Sequence, residues 1–279
     1  MTLEVADLLH DIRRGLKKSW LTNFRMSDSM HNLIKPEYLT TVCICQKLAS
    51  SLNGICRIEA EEKTGSIWKA TALISWLSRN KWLSLRESKI RKGNVDISLS
   101  TLHNGLSIPF AVIENKNFLR FTKEFVLYKQ SNEEISKDLD RNIEFLLGEN
   151  HQGAVEFTAL TFYVQDKNSV TKSDGDKFRQ CVKQTINSVV APKLSPCPHL
   201  KVHIEVESCA DSLFSTHNDA IEPDEDDCPA YVKNPPYHIV YGVITIFSPG
   251  SILVYNKGFN RTPESSGPAE PGEFGGGAG

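Results

Sequence analysis

No stretch of this sequence holds the roughly 18 consecutive apolar residues that a membrane-spanning helix needs, and no cleavable leader opens it. Both absences point to a soluble, cytoplasmic protein without a membrane partner. No internal repeat is visible. A Gly-rich phosphate loop, a nucleophile elbow and a dinucleotide fingerprint are all missing, so nothing suggests a P-loop enzyme, a serine hydrolase of that type or a dinucleotide-dependent enzyme. The cysteines number seven, an odd set. Without a secretion signal they read as reduced thiols rather than as a disulfide framework.

What is present is ordinary for a globular chain. The 279 residues are 40% apolar and 24% charged, and the 13 Phe, 7 Tyr and 4 Trp demand burial, which excludes disorder for the bulk. The length suits one large domain, or a domain with a substantial extension. The net charge of −2 conceals an asymmetry. Residues 1–130 carry 20 Lys+Arg against 12 Asp+Glu, a balance of +8, whereas residues 131–279 stand at −10. A polyanion such as nucleic acid is drawn to the first half and repelled by the second.

Residues 3–18 set Leu3, Val5, Leu8, Leu9, Ile12 and Leu16 at helical spacing, with Arg13, Arg14, Lys17 and Lys18 on other faces. The pattern predicts a helix docked on the core, or else a basic helix lying on nucleic acid. Pro36 sits where a helix can start. From there Leu39, Val42, Cys45, Ala49 and Leu52 form the expected core face, and Gly54 ends the helix. Residues 55–58 fit a strand, and 68–77 either a helix or an insertion. Residues 93–100 alternate apolar and polar, His103-Asn104-Gly105 reads as a hairpin turn, and 108–116 is the return strand. A helix over 132–148 follows, carrying Ile135, Leu139, Ile143, Leu146 and Leu147, and then a strand over 155–164 apolar enough to be buried on both faces. A helix over 176–190 and strands over 200–207 and 237–247 complete the pattern. The acidic loop 222–227 reads as exposed, and the Pro, Gly and Ser of the tail have little to bury.

The hairpin carries the chemistry. Glu114 and Lys116 lie two apart on its second strand, so they share a face, and a hairpin register can bring Asp96 beside them. Two carboxylates and an ammonium on otherwise apolar strands are costly unless a cation and a substrate use them. Two carboxylates with a backbone carbonyl and waters suit Mg²⁺ or Mn²⁺. A neighbouring lysine can orient or deprotonate a water and offset charge building on a phosphate. The plainer readings are a same-face ion pair on an edge strand and a solvated Asp96.

Gly93-Asn94-Val95-Asp96-Ile97-Ser98-Leu99, a turn, and Ala111-Val112-Ile113-Glu114-Asn115-Lys116-Asn117 resemble the metal motif of the PD-(D/E)xK, or restriction-endonuclease-like, nucleases. Asn94-Val95 stands where the Pro of that name would precede the Asp. The resemblance covers roughly residues 30–165 and implies an α/β core ordered helix, three strands, helix, strand. It implies that Asp96 and Glu114 bind Mg²⁺ or Mn²⁺, that Glu37 on the preceding helix assists, and that Lys116 positions the attacking water. Glu59, Glu61 and Glu62 are rivals for the place of Glu37, whose position in a helix's first turn is favoured by the helix dipole in any case. Arg86, Lys89, Arg91 and Lys92, with Lys137 and Arg141 of the next helix, are the candidate nucleic-acid contacts. Surface salt bridges would explain the last two equally well.

The organisation expected is an N-terminal helical extension (1–29), a nuclease-like core (30–165), a C-terminal α/β extension on a mixed sheet (166–260) and a flexible tail (261–279). The function implied is hydrolysis of phosphodiester bonds, by resemblance those of DNA, in restriction, phage defence or repair. A homodimer would fit an enzyme that cuts both strands. The alternative is a catalytically inactive nucleic-acid-binding or regulatory protein on the same fold. Cys197, His199, His203, Cys209, His217 and Cys228 invite a zinc reading, but no second pair shows finger spacing.

Overall fold

The computed structural model describes residues 2–27, 36–52, 54–67, 93–103, 106–147, 155–166, 171–209, 239–248 and 253–254. In chain order the elements are β1 (Thr2–Leu3), α1 (Val5–Ser27), α2 (Pro36–Ser51), β2 (Arg57–Lys63), β3 (Asn94–His103), β4 (Leu106–Leu119), α3 (Lys129–Leu147), β5 (Phe157–Gln165), α4 (Lys172–Leu194), β6 (Lys201–Ser208), β7 (Ile239–Phe247) and β8 (Leu253–Val254). Six strands make one mixed sheet in the order β2-β3-β4-β5-β7-β6, and β1 pairs separately with β8. Only β4 and β5 run parallel within the six. A parallel pair needs a crossover, and α3 supplies it.

The fold is α/β, with helices on both faces of the sheet. On one face Leu8, Ile12, Leu16 and Trp20 of α1 and Ile44 and Leu48 of α2 pack with Ile97, Ala111, Ile113, Ala159 and Tyr163. On the other, Ile135, Leu139 and Leu146 of α3 and Phe178, Val182, Ile186 and Val190 of α4 pack with Val112, Leu160, Phe162 and Ile244. β5 and β7 are central, which is why both are apolar along almost their whole length. The C-terminal segment extends the same sheet through β7 and β6.

α1 is a docked helix. Leu8, Ile12 and Leu16 are buried and Val5 and Leu9 half-buried, while at the sheet's edge Arg13 meets Glu205 and Glu207 and Lys17 meets Glu207, and Lys18 bonds Gln46 of α2. It lies close against α2: a Cβ on Gly15 would stand 2.6 Å from Ile44 Cα. The face of α2 differs from the expected one. Val42 and Ala49 are exposed and Leu39 and Cys45 only half-buried, whereas Thr40, Thr41, Ile44, Leu48 and Leu52 point inward. Thr40 and Thr41, buried and satisfied by hydrogen bonds, make this face polar in sequence, so the apolar spacing marks a stripe one step around the helix. The strand expected at 55–58 starts at Arg57 and continues through charged Glu59, Glu61 and Glu62. It is an edge strand, so those side chains reach solvent. The segment 68–77, the loop 222–227, the tail from 261, and His217 and Cys228 lie outside the described residues, as do Asn104 and Gly105 of the hairpin turn.

Gly242 stands opposite Phe162 across β7 and β5. A Cβ there would come within 2.2 Å of the Phe162 ring, which is fully buried. Gly242→Ala should therefore destabilise the fold by about 1–3 kcal/mol through overpacking. A urea melt with an unshifted midpoint would contradict it.

Candidate active site

β3 and β4 separate where the polar residues begin. Their last ladder pair is Ile97 with Ile113, and one further step sets Asp96 across from Glu114, on one face. Where the ladder stops, the Asn115 amide loses its strand partner and would be orphaned. The Asp96 carboxylate takes its place: Asn115 N donates to Asp96 Oδ2 at 2.5 Å. On the other side of β4 the register to β5 shifts between Asn115 and Phe118. This bulge contains Lys116, and bulges next to sites commonly re-aim a side chain.

The opposite face of β4 holds the motif in place. Asn115 is fully buried. Its Nδ2 donates to Thr41 Oγ1 of α2 at 2.8 Å, its Oδ1 accepts from Thr161 Oγ1 at 2.7 Å, and Thr41 in turn donates to the Glu37 carbonyl at 3.0 Å. This chain of bonds runs from β5 through the motif to the first turn of α2.

Toward α3 the charged groups close into a ring. Glu114, 2% exposed, meets Arg141 Nη2 through Oε1. The same nitrogen reaches Asp138 Oδ1 at 2.9 Å, and Asp138 Oδ2 meets Lys116 Nζ at 2.7 Å. Burial pushes the Glu114 carboxyl up to about 8, against the pull of Arg141, and Asp96 and Asp138 push the same way. Burial likewise raises Asp96 to about 6, opposed by the Asn115 amide and helped by the nearby charge of Glu37 and, less, of Glu61. For Lys116 burial acts downward, but Asp138, Glu114 and Asp96 outweigh it, and its ammonium is held above the usual lysine value.

The structure thus brings Asp96, Glu114 and Lys116 together and sets Glu37 near enough to act on Asp96. Glu61, at a positive φ of 57°, also faces Asp96, whereas Glu62 bonds Ser98 and Glu59 pairs with Arg57. Lys137 and Arg141 do not share one environment: Lys137 is exposed and Arg141 is turned into the ring. Arg86, Lys89, Arg91 and Lys92 lie outside the described residues. Asp138 is a site residue that the sequence pattern does not single out. Its i+3 spacing to Arg141 was the available signal, but only the docking of α3 on β4 aims it at Lys116.

Among the described residues no three His, Cys, Asp or Glu side chains form a ready cage for a metal ion. Cys197 and Cys209 are buried, and His203 pairs with Glu205 at 2.8 Å on the edge strand. The Asp96–Glu114 pair nevertheless fits a hard cation. Both carboxylates are all-oxygen donors held next to one another, and the one partner of Glu114 Oε1 among the described residues is Arg141 Nη2. Mg²⁺ commonly uses one or two carboxylates and fills its remaining positions with water and phosphate. No match was found to a family model, a curated protein or a solved structure. Among the described residues no helix is long and apolar enough to cross a membrane.

The raised Glu114 carboxyl has a measurable consequence. Its value is about 8 in the folded protein and 4.5 ordinarily, so the folded state favours the neutral form. That contribution is complete below about pH 4.5 and is lost as the pH rises through 8. Glu114→Gln stays neutral and should flatten the loss, leaving the metal-free variant more stable than wild type at pH 8.5 by on the order of 1 kcal/mol. Thermal melts at pH 6 and 8.5 in EDTA would check it. Parallel pH dependence in the two proteins would refute the assignment.

Proposed function

We propose that the protein is a metal-dependent nuclease of the restriction-endonuclease-like class, hydrolysing phosphodiester bonds of DNA. The observation that carries the reading is the convergence of Asp96, Glu114 and Lys116 where β3 and β4 part, flanked by α2 and α3 in the order helix, three strands, helix, strand. Asp96 and Glu114, with Glu37 through water, would hold Mg²⁺ or Mn²⁺, which when bound supplies neutralisation of the phosphate and a more acidic water. The chain's own residues do the rest. Asn115 holds Asp96 through its amide, and Asp138 holds Lys116. Lys116, held by Asp138, orients the attacking water and offsets charge developing on the phosphate.

One observation favours a second reading, the inactive regulator. Arg141 and Asp138 already partner Glu114 and Lys116 without a metal. Incubation of the full chain with duplex and single-stranded DNA, in Mg²⁺ and in EDTA, separates the two. Cleavage in Mg²⁺ alone supports the nuclease. Salt-sensitive binding without cleavage supports the regulator, and the absence of both excludes a nucleic-acid role.

A further inference from the structure

We propose that Arg141 is an internal counter-ion of Glu114, released when the site takes a divalent cation, and that the released guanidinium then holds a phosphate oxygen of the substrate. The inference deepens the nuclease reading and rests on it.

The geometry of the guanidinium points this way. Nη2 alone serves two carboxylates, Glu114 and Asp138. The Nε–H is buried and has no acceptor among the described residues. An arginine carries five donors in a fixed fork, and its strong partnerships with carboxylate or phosphate use two of them side by side. Here the fork is spent on a single-nitrogen contact with Glu114, where a side-by-side pair would use two. One guanidinium nitrogen makes the whole contact with Glu114, a geometry either partner can leave. A phosphate oxygen would satisfy the bare Nε–H.

Asp138 makes the exchange local. It lies three residues before Arg141 on α3 and is bound to it at 2.9 Å, so it keeps the guanidinium at the site after Glu114 is given up. Its other oxygen keeps Lys116 there. The carboxylates gain a cation as the guanidinium gains a phosphate, so neither is left without a partner of opposite charge. Arg141 and the cation compete for one oxygen, and that competition is what the experiment reads.

Calorimetric titration of Mn²⁺ into the full-length chain, without DNA, should show Arg141→Gln binding about tenfold more tightly than wild type, an ordinary size for coupling between two ligands of one group. In a Lys116→Ala background, where cleavage is slow, adding Arg141→Gln should weaken duplex binding in Mg²⁺ and leave it unchanged in EDTA. Mn²⁺ bound by wild type and no tighter by the variant would overturn the counter-ion role alone. If neither protein binds Mn²⁺, the metal-dependent reading falls and the inference with it. Should Arg141→Gln fail to fold, Mg²⁺ titration of ¹⁵N-labelled wild type decides. The Arg141 Nε–H resonance, assigned by its loss in Arg141→Lys, should shift on metal addition, and a resonance that stays in place would refute the release.

Discussion

Replacing Lys116 by alanine is expected to reduce Mg²⁺-dependent cleavage by on the order of 10²-fold or more while leaving the protein folded, the loss typical of removing one charge-stabilising donor. The separation of activity from stability follows from the ring. Asp138 loses one partner but keeps Arg141 at 2.9 Å, and Asp96 keeps the Asn115 amide. No carboxylate is stranded, so the cost to folding should be about 1 kcal/mol, the upper end for a partly exposed ion pair. Cleavage assays and thermal melts on the same preparations would read both quantities. Retained cleavage would assign any nuclease activity to another site, and loss of folding would make Lys116 structural.

Asp138→Ala should do the reverse to stability. Asp138 is 8% exposed and is the group through which both Lys116 and Arg141 are held. Its removal leaves two half-buried cations with no acid in contact but Glu114, which touches Arg141, and with Asp96 acting only from a distance. Breaking a buried pair in this way costs about 3 kcal/mol, because the uncompensated charge stays behind. The ammonium of Lys116 also loses the neighbour that contributes most to raising it, so burial should pull its pKa down and any pH–rate profile should lose its alkaline side earlier. Urea denaturation would measure the first effect and pH–rate profiles the second. A loss below about 1 kcal/mol would mean that the ring behaves as a solvated surface cluster.

Much of the site was legible along the chain because strand geometry is local. Alternation placed Glu114 and Lys116 on one face, and the hairpin spacing put Asp96 within reach, without knowledge of any other element. Apolar periodicity marked α2, the hairpin, α3 and β5 in the same way, whereas charged β2 showed only as a short strand at 55–58 and the full order was implied by the resemblance. The buried face of α2 was not marked. Thr40 and Thr41 are buried, and Thr41 faces inward because Asn115 meets it from a strand 74 residues away. Hydrophobic spacing cannot register a residue buried for its hydroxyl.

Sequence alone settled the α/β class, the strand pair that carries the acids and lysine, and the docking stripe of α1, since each depends on a repeat of two or about 3.6 residues within one element. Tertiary structure alone decided what those residues meet. The parallel crossover of α3 lays Asp138 and Arg141 over Lys116 and Glu114, the parting of β3 from β4 gives Asp96 a backbone amide to accept from, and burial lifts both carboxyls toward neutrality. Contacts between elements distant in sequence, and the desolvation they impose, have no period along the chain to be read from.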